Sequence, residues 1–122
     1  LLTGKRVKSK LILWQLCSEM SFNTMQITVL KKLDRNQLFD GNPPIDSEEE
    51  PICPVFEEGQ VFEVSAEGNI PEGFCTWAWN NIYLQAIHLM LNGDLPWIKE
   101  KGECVACCTD GLRPVLFHLK RI

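Results

Sequence analysis

The chain predicts a small α+β domain: a mainly antiparallel sheet with one main amphipathic helix packed across it. Apolar and polar residues alternate at 25–33, 61–66 and 114–120, the two-residue period of half-buried strands. Residues 77–91 instead repeat their apolar groups at helical spacing. Turn-forming residues separate these segments. An order of strand, strand, helix and hairpin favours antiparallel neighbours with the helix laid on one face.

The first strand, Met25-Gln-Ile27-Thr-Val29-Leu30-Lys-Lys-Leu33, opens with clean alternation. Residues 40–51 combine turn formers, prolines and a charge cluster, and read as a loop. Its three consecutive glutamates, 48–50, are read as solvated, because adjacent side chains cannot all face one cation. Cys53-Pro-Val-Phe56-Glu-Glu-Gly59 is a turn into the second strand, where Phe62, Val64 and Ala66 share a face. Pro71-Glu-Gly73-Phe74-Cys75-Thr76 opens the helix, with Thr76 as N-cap and Asn92-Gly93 as the stop. Trp79, Ile82, Tyr83, Ala86, Ile87 and Met90 are expected on its inward face, and Asn81, Leu84 and His88 on the other flank. Pro96-Trp97 is expected to anchor the connection to Gly102. Residues 104–108 read as a third strand and 109–112 as a turn. In the fourth strand Val115, Phe117 and Leu119 face one way and Leu116, His118 and Lys120 the other.

At 122 residues the chain fits one domain, and an apolar fraction of 45% with four tryptophans and six phenylalanines supplies a core. The net charge of -4, without a basic stripe beside exposed aromatics, argues against nucleic acid. Lys5, Arg6, Lys8 and Lys10 lie in residues 1–19, which with Glu19 carry +3 and leave -7 on the remainder. The apolar run Leu11-Ile-Leu-Trp-Gln-Leu-Cys17 is short for a signal-peptide core, and no small-residue cleavage site follows. No run approaches the roughly 20 apolar residues that span a membrane. Residues 1–19 are therefore read as an extension, or else as an amphipathic arm against a partner subunit, and 20–122 as the domain. A core of this size gains from burial between copies, so a homo-oligomer is expected.

Six cysteines are an even number, but Cys107 and Cys108 are adjacent and no export signal stands out, so reduced thiols in the cytoplasm are expected. Cys75 sits beside a helix N-terminus, where unpaired N–H groups and the helix dipole favour a thiolate. Cys104-x-x-Cys107 has a metal-ligand spacing open to completion across the fold by Cys53 or Cys75, with His88 or His118 as a fourth ligand. Alternation along a strand, however, turns Cys107 away from Cys104 and Cys108. A thioredoxin-like pair is disfavoured, because the motif runs toward a turn rather than opening a helix. Asp110-Gly111 suits a hairpin reversal with Arg113 beside it, and Arg113 alternatively serves as an anion clamp. His88 and His118 each stand alone as structural histidines, or as a general base beside a thiolate.

Three blocks stand out: Cys53-Pro-Val-Phe-x-x-Gly-Gln-x-Phe, Pro-Glu-Gly-Phe-Cys75-x-Trp-Ala-Trp, and Cys107-Cys108-Thr-Asp-Gly-Leu-Arg-Pro-Val. Over residues 25–122 the chain resembles a family of short, uncharacterised prokaryotic proteins. The resemblance implies a cytoplasmic domain that stands alone and keeps cysteines near positions 53, 75 and 107 or 108. It brings no activity with it.

Two function classes follow. In the first, a cysteine-centred site binds zinc or iron through Cys53, Cys75, Cys107 and Cys108, or uses Cys75 as the nucleophile of a small hydrolase or transferase. Arg113 then holds an anionic small-molecule substrate, His88 moves protons, and Asp110 lies at the rim. In the second, the protein is a binding or assembly module whose cysteines are compact core residues.

Overall fold

The structure is a computed structural model, and it describes residues 22–122. The extension, Cys17 and the domain start at Met20 lie outside the described residues. The elements are β1 (Met25–Lys32), α1 (Arg35–Leu38), β2 (Val61–Val64), α2 (Thr76–Met90), β3 (Glu103–Cys107) and β4 (Val115–Arg121). The four strands form one sheet in the order β2-β1-β4-β3, and every pairing is antiparallel. This is the predicted α+β architecture.

Register explains why one face is apolar. Phe62, Ile27, Leu119 and Cys104 stand opposite one another across all four strands, and Phe117 pairs with Val29 and Ala106. Leu30 follows the alternation onto the outer face, and a bulge in β1 falls between Val29 and Lys31. α2 covers the apolar face with Ala78, Trp79, Ile82, Ala86, Leu89 and Met90. Phe56 reaches the same core from the loop before β2, with its ring 5.9 Å from Phe62, 5.0 Å from Phe74 and 5.2 Å from Phe117. Each fully buried side chain of this size contributes about 1.5–3 kcal/mol by leaving water.

The helix face differs from the expected one. Ala78 and Leu89 point into the core, while Tyr83 is 42% exposed and Ile87 only partly buried. Tyr83 packs edge-on to Trp79 at 5.6 Å, so its ring has an apolar neighbour while its hydroxyl keeps access to water. Trp97, expected to anchor a connection, is 75% exposed; Leu95 and Ile98 pack on the core instead. The short α1 was not expected. Asp34 starts it, its carboxylate accepting the N–H groups of Asn36 and Gln37 at 2.8 and 3.3 Å.

The C-terminal end of α2 is closed by side chains from distant segments. Arg121 Nη1 donates to Leu89 O and Gly93 O at 3.0 and 2.8 Å, and Asn23 Nδ2 donates to Met90 O at 3.0 Å. Asp94 Oδ1 accepts the Gly102 N–H at 2.6 Å and lies 3.3 Å from Arg121 Nη2. The Gly102 N–H, reinforced by Arg121 and Lys101, outweighs desolvation and holds the Asp94 carboxyl below its usual range. Glycine is required at 102: φ is +75°, and a Cβ would stand 3.1 Å from Arg121 Nη2.

Candidate functional site

At the other end of α2 a pocket of about 440 Å³ opens between three segments. The loop before β2 contributes Cys53, Val55 and Phe56. The start of α2 contributes Cys75, Trp77 and Ala78. The β3–β4 connection contributes Cys108, Thr109, Asp110 and Arg113, with Val115 beyond it. Five of the residues singled out in the sequence, Cys53, Cys75, Cys108, Asp110 and Arg113, thus line one cavity.

Cys75, not Thr76, is the N-cap of α2. Its backbone is extended (φ -66°, ψ 126°), and its carbonyl accepts the Trp79 N–H at 2.9 Å. Its side chain makes no capping hydrogen bond. Sulfur is a poor acceptor, so the cap position that serine or aspartate normally fills leaves the first-turn N–H groups uncapped. The thiol is half-buried and lines the pocket.

Cys108 follows the last residue of β3 and closes the connection. Its N–H donates to Val115 O at 3.0 Å, and its sulfur accepts the Val115 N–H at 3.3 Å. Asp110 then folds the loop: Oδ1 accepts the N–H groups of Leu112 and Arg113 at 2.9 and 3.3 Å, and Oδ2 accepts Arg113 Nε at 3.0 Å. Desolvation pushes the Asp110 carboxyl up, but the Arg113 guanidinium and the two N–H groups together outweigh it and hold the group below its usual range. Asp110 in turn raises Arg113, against desolvation. Arg113 Nη1 also reaches Glu50 O at 3.5 Å.

Cys53 rides on a segment fastened by cations through its backbone. Lys32 Nζ donates to Cys53 O at 3.0 Å, and Arg35 Nη1 donates to Glu49 O at 3.3 Å. The acidic triplet therefore lies beside arginines, but its carbonyl oxygens, not its carboxylates, bind them.

Two residues that sequence reasoning did not single out as functional hold the pocket together. Asn81 Nδ2 donates to the carbonyls of Cys107 and Cys108 at 2.8 and 3.3 Å, and Thr109 Oγ1 donates to Trp77 O at 2.8 Å. The first clip joins α2 to the end of β3 and the second to the β3–β4 connection. Their partners are some 30 positions away in sequence, and no local pattern announces such a bond. Trp77, which lines the pocket, was legible only as part of the Cys75-x-Trp block.

Other expected site residues lie elsewhere. His88 is near the far end of α2, its Nε2 3.0 Å from Asp94 O, and it does not line the pocket. His118 Nε2 lies 2.7 Å from Glu103 Oε1. Cys107 stays out of the pocket, as strand alternation requires: Cys104 and Ala106 are buried under α2, and Cys107 faces the opposite side. Burial, and secondarily the neighbouring Cys108, pushes the Cys107 thiol up; burial alone does the same to Cys104. All five described cysteines are free. Among the described residues no three histidine, cysteine or acidic side chains are grouped to hold a metal ion. No described helix is long and apolar enough to cross a membrane.

No family model, curated protein or solved structure matches the chain.

Proposed function

We propose that the pocket is a small-molecule site in which Cys75 acts as a thiolate nucleophile on an electrophilic carbon, in a group-transfer reaction. The observation that supports this is the convergence of Cys53, Cys75, Cys108 and the Asp110–Arg113 pair on one cavity at the uncapped start of α2. The Cys75 sulfur bonds to the electrophilic carbon, the bond to the leaving group breaks, and the leaving group departs with that electron pair and takes a proton from water. A second nucleophile from solution then releases the group and restores the thiolate. Transfer is favoured over hydrolysis because no histidine lines the pocket, and both Asp110 oxygens already accept hydrogen bonds.

The same lack of a base favours the second reading, a non-catalytic binding module. The five free thiols suit a reducing compartment, and we place the protein in the cytoplasm on that ground. Self-association through the edge strands β2 and β3 belongs to the same proposal.

The test is elemental analysis of anaerobically purified protein together with residue-resolved thiol labelling at neutral pH. Metal-free protein whose Cys75 reacts first supports the nucleophile. Stoichiometric zinc or iron with protected thiols replaces it with a metal site. Metal-free protein with uniformly slow thiols leaves the binding module.

A further inference from the structure

Trp77 is the largest side chain on the pocket and the least buried of its apolar groups. It is 73% exposed although it lines the cavity, whereas Trp79, two residues on, is buried in the core. An indole kept in water beside a thiol-lined cavity is a flat surface without a partner. The buried residues Phe56, Ala78 and Val115 add further apolar lining. A single cation, Arg113, completes the surroundings. Its Nε and Nη1 are engaged by Asp110 and Glu50, and Nη2 has no hydrogen-bond partner among the described residues.

We infer that the pocket takes a planar unsaturated carboxylate, stacked on Trp77 with its carboxylate on Arg113 Nη2. This inference rests on reading the pocket as a small-molecule site. Flatness follows from the indole, which rewards offset or edge-on aromatic partners. Size follows from the cavity, whose 440 Å³ lies within the 300–1,000 Å³ or so typical of small-ligand sites. The charge follows from the arginine's surroundings. Asp110, 3.0 Å from Arg113 Nε, is already paired with that cation. One remaining donor corner suits a singly charged carboxylate, and a doubly charged phosphate beside the Asp110 carboxylate is repelled.

The experiment is isothermal calorimetry with trans-cinnamate, its uncharged analogue cinnamamide, the non-planar anion cyclohexanecarboxylate, and phenyl phosphate. Cinnamate is expected to bind about tenfold more tightly than each of the others. Trp77→Ala is expected to lose about that factor and Trp77→Phe to keep most of it. Because Trp77 is exposed, neither variant threatens the fold, and a thermal melt confirms this. Equal binding of cinnamate and cinnamamide overturns the carboxylate, equal binding of cyclohexanecarboxylate overturns the planarity, and tighter binding of phenyl phosphate overturns the single charge. Binding indifferent to Trp77→Ala, or no binding of any of the four, overturns the whole assignment. Calorimetry needs no bond at sulfur, so an inert Cys75 in the labelling experiment sinks the nucleophile and leaves this result untouched.

Discussion

The two ends of α2 are built on opposite principles. At the C-terminal end the helix carbonyls of Leu89 and Met90 are taken by Arg121 and Asn23, and Asp94 ties Arg121 to the Gly102 backbone. At the N-terminal end the cap is a cysteine that makes no capping bond, next to an exposed tryptophan and a cavity. The polar side chains there, Asn81 and Thr109, clip the connection to the helix and leave its first N–H groups alone. A helix terminus can be satisfied or left open, and only an open one has donors to offer a ligand. The contrast marks the closed end as structural, and the open one is where the proposed chemistry lies.

The largest effect that would sharpen this contrast is at the closed end. Arg121→Leu strands two carbonyls and Asp94, and is expected to cost about 2–3 kcal/mol in urea unfolding. Thiol labelling at Cys75 should be unchanged; a change at both ends would break the distinction. Next is Asn81→Ala, which removes the clip between α2 and the carbonyls of Cys107 and Cys108. It should cost about 1 kcal/mol in unfolding and weaken ligand binding at the pocket.

Smaller still is the pH response of the Asp110–Arg113 pair. The Asp110 carboxyl is depressed in the folded state, so its contribution is fully present above the ordinary aspartate value near 3.9 or so and is lost as pH falls through the folded value. Because Asp110 is substantially exposed, that contribution should be below about 1 kcal/mol. Urea midpoints of wild type and Asp110→Asn should differ at pH 7 and converge as acid is added. A gap that widens in acid contradicts the assigned ion pair.

The strands and α2 were legible because each buries one face of a regular element, and alternation or helical spacing records that face directly. The same alternation correctly set Cys107 apart from Cys104. Convergence of Cys53, Cys75 and Cys108 was only partly legible, since the blocks marked the residues but could not fold the three segments together. The helix face rotated because small Ala78 admits close approach while Tyr83 keeps its hydroxyl near water, a choice made by packing rather than period. The cap moved from Thr76 to Cys75 because backbone geometry sets the helix start, whatever the quality of the capping side chain. His88 was expected beside the thiol, yet it lies 13 positions along α2, or roughly 20 Å at 1.5 Å per residue. The four-residue α1 had one signal, Asp34 before Arg-Asn-Gln, which was too short to carry a period.

The most direct measurement pairs urea unfolding with residue-resolved thiol labelling for Cys75→Ser. A serine at this cap can accept a first-turn N–H that sulfur does not. The variant should therefore gain about 0.5–1 kcal/mol in stability while the fast-reacting thiol disappears. A destabilised Cys75→Ser protein that still shows the fast-reacting thiol would make Cys75 an ordinary packing residue and the open end of α2 no site at all.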